Sequence, residues 1–141
     1  MTIEEREKEI VEEFSMLSDW MDRYSLLIEL GNDLTDFEEE HRSNQNLIEG
    51  CQSKVWLYAW EKDGLIYFMA DSDAIIVKGI VALLIRVLNG RTPDEILEAP
   101  LAFVDAIGLK EHLSPTRSNG LVAMIKQMRM YALAYKTKLA R

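Results

Sequence analysis

The chain has 141 residues, 48% of them apolar and 28% charged, with a formal net charge of −8. This apolar content excludes extensive disorder, and the length suits one domain with a single core over residues 1–141. The negative charge disfavours a general nucleic-acid binder, because neutralising phosphates requires a basic surface. There is no apolar run of membrane-spanning length and no secretory layout at the start. We therefore expect a cytoplasmic protein that binds neither nucleic acid nor membrane.

The first two predicted elements are amphipathic helices. The stretch TIEE is typical of a capping box, with Thr2 as N-cap and Glu5 at the third helical position. Apolar residues then recur at helical spacing to about Leu17. Ser18 is the expected cap of the second helix, and Gly31 closes that helix or lies near its end.

Charge is distributed unevenly along the chain. Residues 1–40 carry fourteen acidic side chains, whereas residues 110–141 carry seven basic ones against Glu111 alone. The acidic part predicts a solvated helix face, and the alternative is a docking surface for a basic partner.

A long loop and a β-hairpin follow the two helices. Residues 34–49 are polar without sustained periodicity, which predicts an ordered loop of a length that is often functional. KVWLYAWE and GLIYFMAD then flank the turn KDG at 62–64, a strong hairpin signal. Because both sets of alternating side chains are apolar, we expect both faces of the hairpin to be covered. Leu47 and Ile48 are candidates for a short third strand.

The third helix is nearly all apolar and is expected in the core, packed against the hairpin. It runs from about Ala74 to Leu88 within SDAIIVKGIVALLIRVLNG. Ser72 or Asp73 is the expected cap at its start, and Gly90 closes it.

Further helices complete the chain. TPDE is a second capping box that opens a short helix, and LAFVDAIGL predicts another. Ser114 caps a long last helix with Pro115 at its first position. Its predicted buried stripe consists of Leu121, Ile125, Met128, Ala132 and Tyr135. The order of helices around a hairpin predicts an α+β domain with a small antiparallel sheet packed against several helices.

Most candidates for chemistry are weak. His41 and His112 are far apart and lack a metal-ligand pattern, so no metal site is expected. Asp71 and Asp73 could form an acid/base pair, but capping of the next helix is the better interpretation.

Cys51, within NLIEGCQSKVW, is the one cysteine of the chain. A lone cysteine is commonly a small buried hydrophobe, yet this one stands beside Gly50 in a polar turn before a strand, where a thiol can be presented outward. One cysteine cannot form an internal disulfide or a CxxC pair. Any sulfur chemistry must therefore be completed by another protein.

Four ordered blocks of the sequence form a recognisable pattern: EGCQSKVWL (49–57), ADSDAIIVKGIVALL (70–84), TPDEIL (92–97) and HLSPTRSNGL (112–121), preceded by W…RY…LIELGNDL (20–34). Together these blocks resemble the SufE family. This resemblance implies a SufE/IscU-like α+β fold. It also implies a sulfur acceptor and activator of a cysteine desulfurase in iron–sulfur cluster assembly.

The resemblance implies a covalent mechanism at Cys51. The thiol would take sulfur from a SufS-type desulfurase as a persulfide and pass it to a SufBCD-type scaffold. The chain would be a sulfur-transfer accessory protein rather than a stand-alone enzyme, a monomer or weak homodimer. It would hold no cofactor of its own, since pyridoxal phosphate (PLP) belongs to the desulfurase. The resemblance also implies a loop that shelters Cys51 in a pocket, with walls expected from the apolar helix and the hairpin.

Other residues of the matching blocks are candidates for supporting roles. Arg117 lies in the first turn of the last helix, where a cation opposes the helix dipole. This placement predicts a specific partner, either an internal carboxylate or the desulfurase, and the alternative is a solvated side chain. The remaining candidates are the supporting loop of Gly50, Gln52 and Ser53, and the possible second shell or partner contacts Ser72 and Asp73.

Two alternative functions are a non-catalytic cluster-assembly scaffold and a redox-sensing adaptor domain. A scaffold needs several thiolate or equivalent ligands at one site, and this chain has one cysteine. A sensor would oxidise its thiol without receiving sulfur.

Overall fold

The computed structural model describes residues 1–35 and 37–140. Asp36, within the predicted loop, lies outside the described residues. The elements are helices α1 (Ile3–Ser15), α2 (Trp20–Asn32), α3 (Ile75–Leu88), α4 (Pro93–Glu98), α5 (Phe103–Ala106), α6 (Leu109–His112) and α7 (Pro115–Leu139), strands β1 (Val55–Lys62) and β2 (Leu65–Ser72), and 3-10 helices Glu39–His41 and Asn44–Asn46. The predicted α+β class is confirmed. None of the described helices is both long enough and apolar enough to cross a membrane.

The starts of α1, α4 and α7 follow the predicted capping chemistry, and those of α2 and α3 do not. Thr2 and Thr92 form capping boxes, and the Ser114 hydroxyl accepts an N–H in the first turn of α7. The N-cap of α2 is Asp19 rather than Ser18. The Asp19 carboxylate accepts the N–H two residues on at 2.9 Å, which is the bond that makes Asp a good cap.

The centre of the core is α3, and two glycines let α2 pack closely against it. A Cβ added to Gly79 would lie 2.0 Å from the carbonyl oxygen of Leu27, and one added to Gly31 would lie 2.8 Å from the nitrogen of Gly79. Gly31 lies near the end of α2, as predicted. A single cluster of buried side chains contains residues from α1 to α7, and one domain over residues 1–141 stays a prediction.

The acidic face of α1 is partly used inside the molecule. Glu9 and Glu13 form ion pairs with Arg86 of α3. Glu7 is buried, and its carboxylate accepts the N–H of Phe103 at 3.1 Å. The expectation of a solvated acidic face is therefore wrong for Glu7, whereas Glu9 and Glu13 are partly exposed and paired.

The hairpin has the predicted position and turn. Val55 pairs with Ser72 at one end and Lys62 with Leu65 at the other. Asp63 and Gly64 have φ values of 55° and 82°, the positive pair that a two-residue type I′ turn requires.

Only one face of the hairpin is buried, so the expectation that both faces are covered is wrong. Alternate residues of the two strands pack into the core. The opposite face carries stacked, half-buried rings of Tyr58, Trp60 and Tyr67, covered only in part by His41, whose ring centroid lies 3.7 Å from that of Tyr58. The loop before β1 contacts this face through Arg42, which lies over the Trp56 ring, and through His41.

The third strand was also predicted wrongly: Leu47 forms an isolated bridge to Trp56. Further along the same edge, the hydroxyls of Tyr131 and Tyr135 donate to the carbonyls of Leu57 and Ala59 at 3.1 and 3.2 Å. Side chains of α7 therefore donate hydrogen bonds to the free carbonyls of the β1 edge, where another strand would have paired. These contacts show that α7 runs in the same direction as β1, so its first turns lie beside the residues that precede β1.

The predicted helix at LAFVDAIGL and the predicted buried stripe of α7 are each correct only in part. The stretch LAFVDAIGL contains α5 and ends on the first residue of α6, and Gly108, which has a φ of 75°, precedes α6. In α7, Ile125 and Tyr135 are only half-buried, whereas Met124 is fully buried.

Candidate functional site

Cys51 lies in a turn, residues 49–53, that leads into β1 and is held at both ends. Before it, the N–H of Ile48 donates to the carbonyl of Val55 at 2.9 Å. After it, the N–H of Lys54 donates to the Asp73 carboxylate at 3.1 Å. Within the turn, Gly50 has a φ of 92°, a conformation that side chains other than glycine rarely adopt.

Ser72 and Asp73 anchor the end of this turn and do not act as the predicted cap of α3. The N-cap of α3 is Ala74, without a side-chain hydrogen bond of its own. The Ser72 hydroxyl donates to the carbonyl of Lys54 at 2.8 Å and accepts the N–H of Ala74 at 3.2 Å. Both side chains thus connect the start of α3 to the chain that follows Cys51.

A cavity of about 390 Å³ opens beside Cys51. Its walls come from the cysteine turn, from α3 and from the first turns of α7. The expectation that the hairpin forms one of the walls is therefore wrong. The reason is the course of α7, which lies along the outer edge of β1 and covers the cysteine turn. The lining residues are Cys51, Gln52, Ser53, Val77, Ser114, Thr116, Arg117, Gly120 and Met124.

The thiol rests against α7. The Sγ of Cys51 lies 3.7 Å from the carbonyl oxygen of Gly120, to which the S–H can donate. Burial raises the pKa of the Cys51 thiol. Because the thiolate is the nucleophile in sulfur chemistry, the resting position keeps the group protonated and weakly reactive. Movement of the turn into water would remove the burial that raises this pKa.

The mouth of the cavity is polar and its inner wall is apolar. Ser114, Thr116 and Arg117 are exposed at the N-terminus of α7, whereas Val77 and Met124 are buried. No carboxylate in residues 1–35 and 37–140 lies within ion-pair distance of Arg117, so the internal partner that its position suggested is not found there. This cation and the positive end of the helix dipole both favour an anion at the mouth.

The cavity brings together only some of the predicted site residues. Cys51, Gln52, Ser53 and Arg117 line it, and Gly50 lines a neighbouring groove. The residue pattern did not indicate the other lining residues, which are Val77, Ser114, Thr116, Gly120 and Met124. A signal existed for one of them: a glycine inside a predicted helix costs about 1 kcal/mol and commonly has a packing reason.

Asp71 is neither a cap nor half of an acid/base pair. Its buried carboxylate forms ion pairs with Arg42 and with Lys78, the latter at 3.2 Å. Burial by itself would raise the pKa of Asp71, but hydrogen bonds from Arg42, the Ser72 N–H and Lys78 lower it overall. A carboxylate held ionised between two cations is unsuited to proton transfer.

Both histidines lie in aromatic stacks. His41 stacks on Tyr58, and the His112 ring lies 3.9 Å from that of Trp20. Ligand atoms of His41, Glu38 and Glu40 lie within 4.8 Å of one another. The two carboxylates are exposed, and such acidic groups are common on protein surfaces, so this cluster by itself is not a metal site.

Comparison with known proteins gives a consistent result. The family model of SufE, described as an Fe-S metabolism associated domain, matches residues 8–132. An uncharacterized SufE-like protein of Synechocystis sp. is 42% identical over 127 residues, which cover 90% of this chain and 80% of that protein. One of Rhizobium meliloti is 39% identical over 129 residues, covering 88% and 92%. The solution structure of a hypothetical protein from Thermus thermophilus shares the fold, with a TM-score of 0.77 and 24% identity over 94% of this chain and 96% of that one.

Proposed function

The chain belongs to the SufE family of iron–sulfur metabolism, and on this premise we propose that it is a sulfur acceptor and activator of a cysteine desulfurase. Cys51 receives the sulfur as a persulfide and passes it to an iron–sulfur cluster assembly scaffold. The desulfurase is of the SufS type and the scaffold of the SufBCD type. The observation that carries the proposal is a single thiol in a turn that is anchored at both ends and sheltered beside a cavity.

The transfer is a thiol–persulfide exchange. The Cys51 thiolate attacks the outer sulfur of a persulfide on the desulfurase cysteine. The S–S bond of that persulfide breaks, and the desulfurase sulfur leaves as a thiolate that takes up the proton lost by Cys51. The product is Cys51 persulfide, and the step needs no external oxidant or reductant.

The resting geometry favours docking before reaction. The raised pKa of Cys51 lowers the thiolate fraction of the isolated protein, which slows its reaction with other sulfur compounds and oxidants. A docked desulfurase that draws the turn outward moves the Cys51 Sγ away from the Gly120 carbonyl. The thiolate fraction then rises because the burial that opposed ionisation is gone.

The remaining candidate residues have supporting roles in this proposal. Gly50 provides the positive φ on which the turn pivots, and Ser72 and Asp73 hold the position from which β1 begins. Gln52 and Ser53 line the cavity beside the thiol. Arg117 at the cavity mouth lies where an anionic persulfide or an acidic group of the desulfurase would be stabilised.

The test is a mass measurement on the intact protein. After incubation with a SufS-type desulfurase, PLP and cysteine, the wild-type chain is expected to gain one sulfur, about 32 Da, in a form that thiol reductants remove. Cys51→Ser should gain nothing and should not stimulate sulfide release. Ser15→Ala is the control, because it removes an exposed hydroxyl at the end of α1, outside the residues that line the cavity, and keeps the thiol. A persulfide-sized adduct on Cys51→Ser would refute the proposal.

The two alternative functions receive less support. The residues that line the cavity offer one thiol and no carboxylate or imidazole, a poor ligand set for a cluster. A redox sensor benefits from a lowered thiol pKa, whereas burial raises that of Cys51.

A further inference from the structure

One face of α7 exposes large apolar side chains to solvent. Val122, Met130 and Leu133 are 54%, 53% and 54% exposed. Their spacing of eight and three residues keeps them on one side of the helix. Isolated exposed apolar residues are ordinary, but a contiguous group marks an interaction surface.

These side chains border a groove of about 420 Å³, called here the α7 groove. Leu97 of α4 forms the opposite wall, and Ile125 contributes to the apolar lining. Three cations complete the lining: Lys110, Lys126 and Arg129.

The cations of the α7 groove are poorly neutralised within the molecule. Lys110 lies 4.0 Å from Asp105, a distant pair. In the part of the chain that the structure describes, no carboxylate lies within ion-pair distance of Lys126 or Arg129. This surface therefore differs in sign from the protein as a whole, whose net charge is −8. An apolar groove with a cationic rim is complementary to an apolar segment flanked by carboxylates.

The groove also continues towards the cysteine turn. Val122, Lys126 and Met130 line a second depression on their other side, together with Glu49 and Gly50. The exposed ridge of α7 thus lies between the α7 groove and the turn that carries Cys51. A segment bound in the groove would contact side chains that also border this turn.

We infer that the α7 groove is a docking site for an acidic amphipathic helix of a partner protein. The helix lays its apolar side chains between Leu97 and the ridge of α7, at the i, i+3, i+4 and i+7 spacing of helix-in-groove recognition. Its glutamates or aspartates reach Lys126 and Arg129 at the rim. Symmetric pairing with a second copy is disfavoured, because it would bring the cationic rims of two α7 faces together.

The experiment uses the full chain and a defined probe. The probe is a fluorescein-labelled peptide with leucines at i, i+3, i+4 and i+7 and glutamates elsewhere, and its twin has lysine in place of every glutamate. Fluorescence anisotropy should show saturable binding of the glutamate peptide only. Met130→Glu and Lys126→Glu should each weaken binding about tenfold, which is a typical loss for a central contact.

Matched controls separate this site from general charge effects. Met21→Glu changes another exposed methionine, 70% exposed on α2, and Lys62→Glu changes an exposed lysine at the hairpin turn; neither should alter binding. Cys51→Ser should bind the peptide as the wild type does, so failure of the sulfur chemistry and failure of the groove are distinguishable.

Three outcomes would overturn the inference. The first is no binding of the glutamate peptide, and the second is equal binding of both peptides. The third is self-association of the wild type that Met130→Glu abolishes, because the occupant would then be a second copy of the chain.

Discussion

The two ends of β1 carry glycine turns that resemble each other in backbone conformation and differ in what holds them. Gly64, in the hairpin turn, has a φ of 82°, and Gly50, in the cysteine turn, has a φ of 92°. The hairpin turn is closed by the strand ladder, with Lys62 paired to Leu65, and by the Glu61 carboxylate, which accepts the Gly64 N–H at 2.7 Å.

The cysteine turn rests on packing against another helix. A Cβ on Gly50 would lie 3.4 Å from the Cβ of Ala123, and the Cys51 sulfur faces the Gly120 carbonyl. Its backbone anchors, at Ile48 and Lys54, lie outside the turn itself. A turn fixed by a ladder moves only when the sheet opens, whereas a turn fixed by side-chain contacts can move while the sheet stays intact. This difference suits a thiol that must leave its shelter.

The largest expected effect comes from the anchor upstream of the cysteine turn. Arg42 connects the loop before Cys51 to the buried Asp71. Arg42→Gln should lower the free energy of unfolding at pH 7 by about 2 kcal/mol, because the carboxylate loses a charged hydrogen-bond partner and keeps Lys78 and the Ser72 N–H. On the hairpin side, Glu61→Gln keeps an acceptor for the Gly64 N–H and should cost less than about 0.5 kcal/mol. Urea denaturation measures both.

The pH dependence of the Arg42→Gln effect has a defined sign. The pKa of Asp71 is lowered in the folded state, so the pair stabilises the fold above the usual aspartate range. The difference between wild type and Arg42→Gln should shrink as the pH falls through the pKa of the folded state. A constant difference down to about pH 2 would show that the ion pair is not its cause.

The two glycines provide a direct comparison of the turns. Gly64→Ala and Gly50→Ala introduce the same methyl group at similar positive φ angles, where the expected strain is about 1 kcal/mol. We expect the full loss of stability for Gly64→Ala, since the ladder prevents relaxation. We expect a smaller loss for Gly50→Ala, together with faster alkylation of Cys51, because the turn can relax outward. Equal losses with unchanged alkylation rates would contradict the difference drawn between the turns.

The smallest effect concerns the titration of the thiol. Because burial raises the pKa of Cys51, the alkylation rate of the folded protein should rise with pH at a midpoint above that of an exposed cysteine. The raised pKa also means that stability falls as pH rises from the ordinary thiol range through the pKa of the folded state. Cys51→Ser should remove this slope, and Gly50→Ala should move the alkylation midpoint down. An alkylation midpoint at or below that of unfolded cysteine would exclude a sheltered resting thiol.

The local elements were predictable because their signals are local. The capping boxes at Thr2 and Thr92 satisfy the free N–H groups of a helix start within four residues, so the motif alone locates the helix. The type I′ turn at Asp63 and Gly64 likewise depends on two adjacent backbone conformations. Cys51 was identified as the candidate reactive group because it stands beside Gly50 in a polar turn before a strand, within a block that resembles SufE.

The errors concern contacts between residues far apart in sequence. Ser72 and Asp73 are equally suited to capping α3 or to binding the Lys54 backbone, and only the approach of the two segments selects the second. The third strand fails because Tyr131 and Tyr135, more than seventy positions away, satisfy the edge of β1. No pattern near Leu47 carries that information.

The sequence by itself therefore determined the helices, the hairpin, the single thiol and the resemblance to SufE, because capping, turn geometry and periodicity act over a few residues. Tertiary structure alone decided that α7 lies along β1 and that its first turns shelter Cys51. It also decided that the exposed side of α7 is apolar with a cationic rim. These features depend on which surfaces remain after the core has packed, and a residue pattern within one segment does not specify its neighbours in space.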